Sequence, residues 1–307
     1  EVCAALRPAL DGSGPRALVD ATAGLGGHTA ALLAVTRPSR AIVLDRDADA
    51  LARARVRLRD AACPVDFVHA GFAGLAEVLE RLGVREVAAI VADLGVSSMQ
   101  LDEPERGFSF RADGPLDMRM DPSRGATAAE LLAEIDAARL TRILREHGEE
   151  PEAPRIAAAI VKARPTTTRG LADVVTAAIS ARARRKLAGR IHPATRTFMA
   201  LRIEVNDELG QLERFLAAAP SLLMVGGRLA VITFHSLEDR RVKQRFRALG
   251  RPPEPPAHLP LRERELPRPS FAIPPGYGSG KTPGPAELDV NPRSRSARLR
   301  VLERCAP

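Results

Sequence analysis

Three observations predict an α/β fold built on a doubly wound, mostly parallel sheet. Short apolar runs alternate with helical patterns, a glycine turn follows the first run at once, and one long all-helical block interrupts the alternation before a strand returns. The first run, Ala17–Thr22, passes into Ala-Gly-Leu-Gly-Gly-His and then a helix from about Thr29 to Leu33. Further strands are predicted at Ala41–Asp45, Val65–His69 and Val87–Asp93, with helices over Ala48–Arg59 and Leu75–Leu82. Strands joined through helices pair in parallel, because only a long crossover returns the chain in the same direction.

From Arg111 to Asn206 the pattern is helical throughout. Thr127 and Glu130 make a capping box ahead of Leu131, Leu132, Ile135, Leu140, Ile143 and Leu144. Helices are also expected at Arg155–Ala163, at Gly170–Leu187 and from near Pro193 through Val205. A strand resumes at Arg228–Phe234. The expected division is a core made of residues 1–110 and 207–307, with residues 111–206 inserted as a helical domain. Of the 25 prolines, 13 follow Arg251, so Arg251–Pro285 is expected to be extended and irregular. Ala297–Leu302 alternates and is expected to close the sheet edge as a late strand.

With 307 residues the chain can bury a large core. Its 46 Lys and Arg against 38 Asp and Glu leave a net charge of +8, which favours an anionic partner without requiring one. Cys3, Cys63 and Cys305 are too scattered for a disulfide framework, so a reducing cytoplasm is expected. None of the six histidines has zinc-type spacing, and no metal is expected. No apolar run reaches the ~18 residues of a membrane span. The chain opens on Glu1, not Met, so further residues are expected to precede it.

The glycine turn Gly24–His28 lets backbone N–H groups approach a ligand, and Asp45, at the end of the next strand, is placed to hold ribose hydroxyls. The dinucleotide fingerprint fails, because Thr29 stands where its third glycine would be. That disfavours a pyrophosphate and leaves a phosphate-free nucleoside such as S-adenosylmethionine, or a plain βα turn with a solvated Asp. Phe72, just past the third strand, offers either an apolar face for adenine or ordinary core. The fourth strand ends in Asp93-Leu-Gly-Val-Ser-Ser-Met-Gln100, which puts an acid and polar side chains in the crevice where open α/β sheets bind ligands.

Longer signatures carry a resemblance. Asp20–His28, Asp45-Arg-Asp47, Asp93–Ser98, Arg106-Gly-Phe-Ser-Phe110 with Asp113–Asp121, Thr195–Phe198, Leu201–Ile203 with Asn206, and Thr233–Arg240 resemble the bacterial 16S rRNA cytosine-N4 methyltransferases, the MraW/RsmH family. The resemblance runs nearly end to end, although the family's opening His-x-Pro-Val-Leu-like stretch is absent before Glu1. It implies a Rossmann-like class I methyltransferase core and S-adenosylmethionine held by Gly26, Gly27, His28, Asp45, Phe72, Asp93 and Gln100. It also implies an inserted domain that helps recognise RNA, and a substrate cytosine in the decoding centre of the small ribosomal subunit. The number of subunits is not implied, and a homodimer stays open.

Cytosine N4 is a poor nucleophile, because its lone pair is delocalised into the ring, so alignment and proton acceptance must carry the reaction. Asp93, with Ser97 nearby, and His235 are the candidate catalytic residues; a helix-capping Ser and a loop His are the competing readings. No Pro-Cys pair is present for a covalent route through the ring. Arg182, Arg184, Arg185, Lys186 and Arg190 form an acid-free run, and Arg293, Arg295, Arg298 and Arg300 form a second; each is a candidate phosphate contact or a solvated face. Phe108 and Phe110 either stack on a base or pin their loop to the core. Two other functions stay open: a methyltransferase acting on DNA or protein, and a non-enzymatic RNA-binding assembly factor.

Overall fold

A computed structural model describes residues 1–187, 189, 191–252 and 268–306. In chain order its elements are α1 (Val2–Leu10), β1 (Ala17–Asp20), α2 (Gly27–Val35), β2 (Arg40–Asp45), α3 (Ala48–Arg57), β3 (Val65–His69), α4 (Leu75–Arg81) and β4 (Val87–Asp93). There follow α5 (Ser98–Asp102), α6 (Ala128–Glu134), α7 (Ala137–Glu146), α8 (Ala153–Ala163), α9 (Thr168–Ala178), α10 (Ala181–Leu187), α11 (Thr195–Val205) and α12 (Glu208–Ala218). The chain then forms β5 (Leu223–Thr233), α13 (Ser236–Leu249), β6 (Phe271–Ala272), α14 (Pro285–Val290) and β7 (Arg298–Arg304). The contacts divide these into two compact units, residues 1–95 with 210–307 and residues 96–209.

The first unit is the predicted α/β fold. Its sheet runs β3-β2-β1-β4-β5-β7-β6 among the described residues. Strands β1 to β5 pair in parallel, and β7 runs antiparallel between β5 and β6. β4 shows why the sheet is covered on both faces: Val87 to Ala92 are all buried. Ile90 and Ala92 join one apolar cluster with Leu79 of α4, Phe215 of α12 and Phe246 of α13. The alternate residues Ala89 and Val91 join another with Leu6 of α1 and Leu32 of α2. An apolar strand with no polar face needs such a layer on each side.

The sequence reading gives no range to α1, α12, α13, β6 or α14. α1 carries Pro8 inside it, a residue that breaks helical patterns, yet burial of Ala5, Leu6, Ala9 and Leu10 holds it. α12 lies beyond the predicted end of the helical block. β6 is two residues long and exists through its pairing with β7. Of the tail expected to be irregular, residues 251–252 and 268–285 are described, with β6 inside it and Pro285 opening α14, whereas residues 253–267 lie outside the described residues.

The second unit is helical and has its own core, which includes Phe108, Leu116, Met118, Leu132, Leu144, Ile156, Leu171, Phe198 and Leu201. It begins at Val96 rather than Arg111, because Phe108 is buried in this core and Val96, Leu101 and Phe110 pack against it. The Thr127–Glu130 capping box is present: Thr127 Oγ1 accepts from Glu130 N at 3.1 Å, and Glu130 Oε2 accepts from Thr127 N at 2.8 Å. The helical run behind it is two helices, because Asp136 caps α7 by accepting from Arg139 N. The run expected over Gly170–Leu187 is likewise broken, with Ile179 extended after α9.

The segment Arg106–Asp121 is pinned from inside this unit. The Asn206 amide donates to Met118 O at 2.7 Å, and its carbonyl accepts from Met120 N at 2.8 Å. Arg106 donates to Arg119 O and Met120 O. Met118 is fully buried at φ +63°, a conformation that side chains tolerate only where surrounding contacts fix it.

Candidate functional site

The sheet order reverses direction at β1 and β4: from β1 the chain proceeds outward through β2 to β3, then returns to β4 and β5 on the other side. Ligands of doubly wound sheets bind beyond the carboxyl ends of strands at such a point. Asp20, Asp45 and Asp93 are the last residues of β1, β2 and β4. The turn after β1 closes through Gly26 N donating to Ala23 O at 2.7 Å, with Gly24 at φ +50° and Gly26 at φ +75°. Those signs of φ favour glycine. A Cβ placed on Gly24 or Gly27 would meet nothing within 4 Å, so the turn leaves room for a ligand against its backbone.

Asp45 is tied to that turn. Its Oδ2 accepts from Gly24 N at 2.7 Å and its Oδ1 from Asp47 N at 2.8 Å. Burial pushes its carboxyl above the ordinary value, against the pull of those two N–H groups. Each oxygen keeps a lone pair, which suits a vicinal diol. Asp93 is held by its own N–H, which donates to Thr22 Oγ1 at 2.6 Å, and its Oδ2 lies 3.2 Å from His28 Nε2. Its Oδ1 is buried without a hydrogen-bond partner. A buried acceptor left unmade is costly, so this oxygen fits a donor from a bound ligand.

His28 opens α2, directly after the glycines. Burial lowers its basicity, but the hydrogen bond and charge of Asp93, with the charges of Asp20 and Glu287, hold the imidazole above its ordinary value. Asp20 lies deeper, 1% exposed, and accepts from Thr29 Oγ1 at 2.6 Å and Thr22 N at 3.3 Å. Burial pushes its carboxyl up as well. Asp20 and Thr22 are the positioning residues that sequence reasoning did not single out, and their only signal was their place at the end of β1. Phe72 sits in a short 3-10 turn after β3, partly buried and edge-on to Phe215 at 5.3 Å.

Gly26, Gly27, His28, Asp45 and Asp93 thus gather at the ends of β1, β2 and β4. Ser97 and Gln100 belong to the helical unit and serve each other: Ser97 Oγ accepts from Gln100 N, and Gln100 Oε1 accepts from Ser97 N, capping α5. The Ser97 hydroxyl thus uses one lone pair on a helix start and keeps its O–H and a second lone pair. His235, the other catalytic candidate, stands at the start of α13 with both ring nitrogens buried and without a hydrogen-bond partner. Its side chain is 11% exposed, its Nε2 lies 3.1 Å from Glu238 Oε1, and it precedes α13 as its N-cap.

Arg182, Arg184, Arg185 and Lys186 are all exposed on α10, and Arg184 donates to Thr176 O. Arg190 lies outside the described residues. Arg293 and Arg295 are exposed on the turn 292–296. In the rest of that second run, Arg300 is 5% exposed and bonded to both oxygens of Asp239 at 2.7 and 3.0 Å, while Arg298 keeps an exposed side chain and donates to Ser279 O. Within β7 it is Arg300 whose charge is paired inward. Among the described residues no group of three His, Cys, Asp or Glu could hold a metal, and no helix is long and apolar enough to cross a membrane.

Residues 1–305 match the model of the MraW methylase family. A ribosomal RNA small subunit methyltransferase H of Aromatoleum aromaticum is 50% identical over 93% of this chain and 90% of its own length. Its counterpart in Frankia casuarinae is 50% identical over 98% of this chain and 93% of its own. Among solved structures, an rRNA methylase from Streptococcus thermophilus aligns over 99% of this chain and 94% of its own at 14% identity, with a TM-score of 0.41. By its match over almost the whole length, this chain belongs to the MraW methylase family and is a methyltransferase.

Proposed function

We propose that the protein methylates N4 of a cytosine in the decoding centre of 16S ribosomal RNA, acting in the cytoplasm on the small ribosomal subunit. The observation that carries this reading is the end-to-end likeness to relatives named ribosomal RNA small subunit methyltransferase H, in a chain that sets acids at the ends of β1, β2 and β4. When bound, S-adenosylmethionine supplies an electrophilic methyl group. Asp45 takes the ribose hydroxyls through the lone pair left on each oxygen, and Gly26, Gly27 and His28 line the turn that holds the donor. Phe72 flanks the adenine.

Asp93 is the residue we place at the reacting amine. Its unpartnered Oδ1 accepts an N–H of cytosine N4, which orients the lone pair and receives the proton that N4 must lose. The basic face of α10, with Arg182, Arg184, Arg185 and Lys186, and the turn bearing Arg293 and Arg295 take up RNA phosphates. A target base that is paired or stacked must be extruded, at a cost of a few kcal/mol that those contacts offset.

The test is methyl transfer from labelled S-adenosylmethionine to small subunits isolated from cells lacking this protein, with the product nucleoside identified by mass spectrometry. N4-methylcytidine supports the proposal. No incorporation despite cofactor binding would sink the acceptor and point to DNA or protein, and absence of cofactor binding would move the chain to the non-enzymatic class.

A further inference from the structure

We propose that His192 is a base-stacking contact for single-stranded RNA, set beside the basic helix α10; this rests on reading the chain as an RNA methyltransferase. Three rings form a ladder from the core of the helical unit to its surface. Phe198 is 5% exposed and meets Phe110 at 4.8 Å, edge to face. Phe110 is partly buried and meets His192 at 4.6 Å, with the planes 38° apart. His192 is the exposed end. Phe110 therefore does pin its loop to the core, and what it presents outward is a second ring.

The imidazole is fixed in orientation and tautomer. Ala194 N donates to His192 Nδ1 at 3.2 Å, so in the neutral ring the proton sits on Nε2 and is available as a donor. A ring held by an aromatic neighbour on one side and a backbone N–H at its edge loses little freedom when a base stacks on it. Ile191, next in the chain, is 41% exposed and extends the apolar surface.

The neighbourhood selects the occupant. From Ala181 to Ala194 the sequence holds four Arg, one Lys and no acid. Arg182, Arg185 and Lys186 are exposed on α10 and pair with no carboxylate among the described residues. Ile191 N donates to Leu187 O, which joins the end of α10 to the segment bearing His192. Aromatic faces interleaved with unpaired cations suit a single strand whose bases are free to stack and whose phosphates follow the charge. A duplex would reach the cations but hide its base faces.

The experiment uses the full chain and a short cytidine-rich RNA oligonucleotide, single-stranded and then annealed to its complement. Affinity is read by fluorescence anisotropy without cofactor, for wild type, His192→Leu and His192→Phe. We expect His192→Leu to weaken single-strand binding roughly tenfold and His192→Phe to hold within about threefold, with duplex binding indifferent to both changes. On small subunits, His192→Leu should raise KM and leave kcat. Equal affinity of all three proteins, or an equal loss in both variants, overturns the proposal, as does a wild type that binds duplex as tightly as single strand. Because binding is read without turnover, these results are separable from failure of methyl transfer itself: a wild type that modifies no subunit but shows the expected series loses the proposed activity and keeps the contact.

Discussion

Arg185 and Arg300 carry the same guanidinium in opposite surroundings. On α10, Arg185 stands exposed and pairs with no carboxylate among the described residues, whereas Arg300 on β7 is 5% exposed and bonded twice to Asp239. Both belong to runs that read alike in the sequence. The difference is the number of covered faces. A surface helix of about two turns leaves its cations to solvent and to ligands, while a charge carried into the interior of a sheet must be neutralised there. The same contrast holds among the acids: Asp20 and Asp239 are closed by internal partners, and Asp93 keeps a buried oxygen open.

The contrast can be broken or sharpened by substitution. The largest effect is expected for Asp239→Ala, which strands the buried guanidinium of Arg300 and should cost about 3 kcal/mol in denaturant unfolding. Arg300→Met should cost clearly less, because Asp239 retains solvent access and Arg298 lies 3.9 Å away. Equal losses would mean that the pair is not closed as described. Next comes Asp45→Ala, for which calorimetry should find S-adenosylmethionine binding weakened by about a hundredfold or more, since a buried, hydrogen-bonded carboxylate is removed. Unchanged affinity would refute the ribose assignment.

A smaller effect is expected for Arg182→Gln with Arg185→Gln. RNA affinity should fall severalfold and the slope of log affinity against log salt should flatten by about 1 to 2, with stability moving by no more than ~0.5 kcal/mol. An unchanged slope would leave α10 a solvated face. The smallest is the titration of His28. Its folded value is raised above the ordinary ~6.5, so the stability it shares with Asp93 is fully present below that pH and is lost as the pH rises through the folded value. Side-chain NMR of His28 should show the raised midpoint, and Asp93→Asn should lower it; a midpoint indifferent to that change would dissolve the pair.

The sequence showed the parallel strands plainly, because each is an apolar run bounded by a turn residue or a terminal Asp. β6 was illegible: two residues among prolines have no periodicity, and they become a strand only when β7 supplies partners. α1 was hidden by Pro8, whose local cost is overruled by burial of Leu6 and Leu10. At the site, the glycine turn and Asp45 could be read locally because turn geometry is local chemistry. That the Ser97 hydroxyl accepts from Gln100 N was not legible, since the same residue serves as a cap or as a reactive group depending on what lies three positions on. Asp20 looked like any strand-end acid until packing enclosed it.

The placement of β7 has a consequence for the order of assembly. It pairs along residues Arg228–Thr233 of β5, but the ribosome delivers it only after α13, the proline-rich segment and α14 have emerged. Until then β5 is an open edge with an unpaired backbone ladder, the kind of surface that recruits strands from other chains. A nascent or truncated chain ending before Arg298 would therefore be sticky along that ladder. Its continuous helical unit, residues 96–209, would meanwhile already have been synthesised in full.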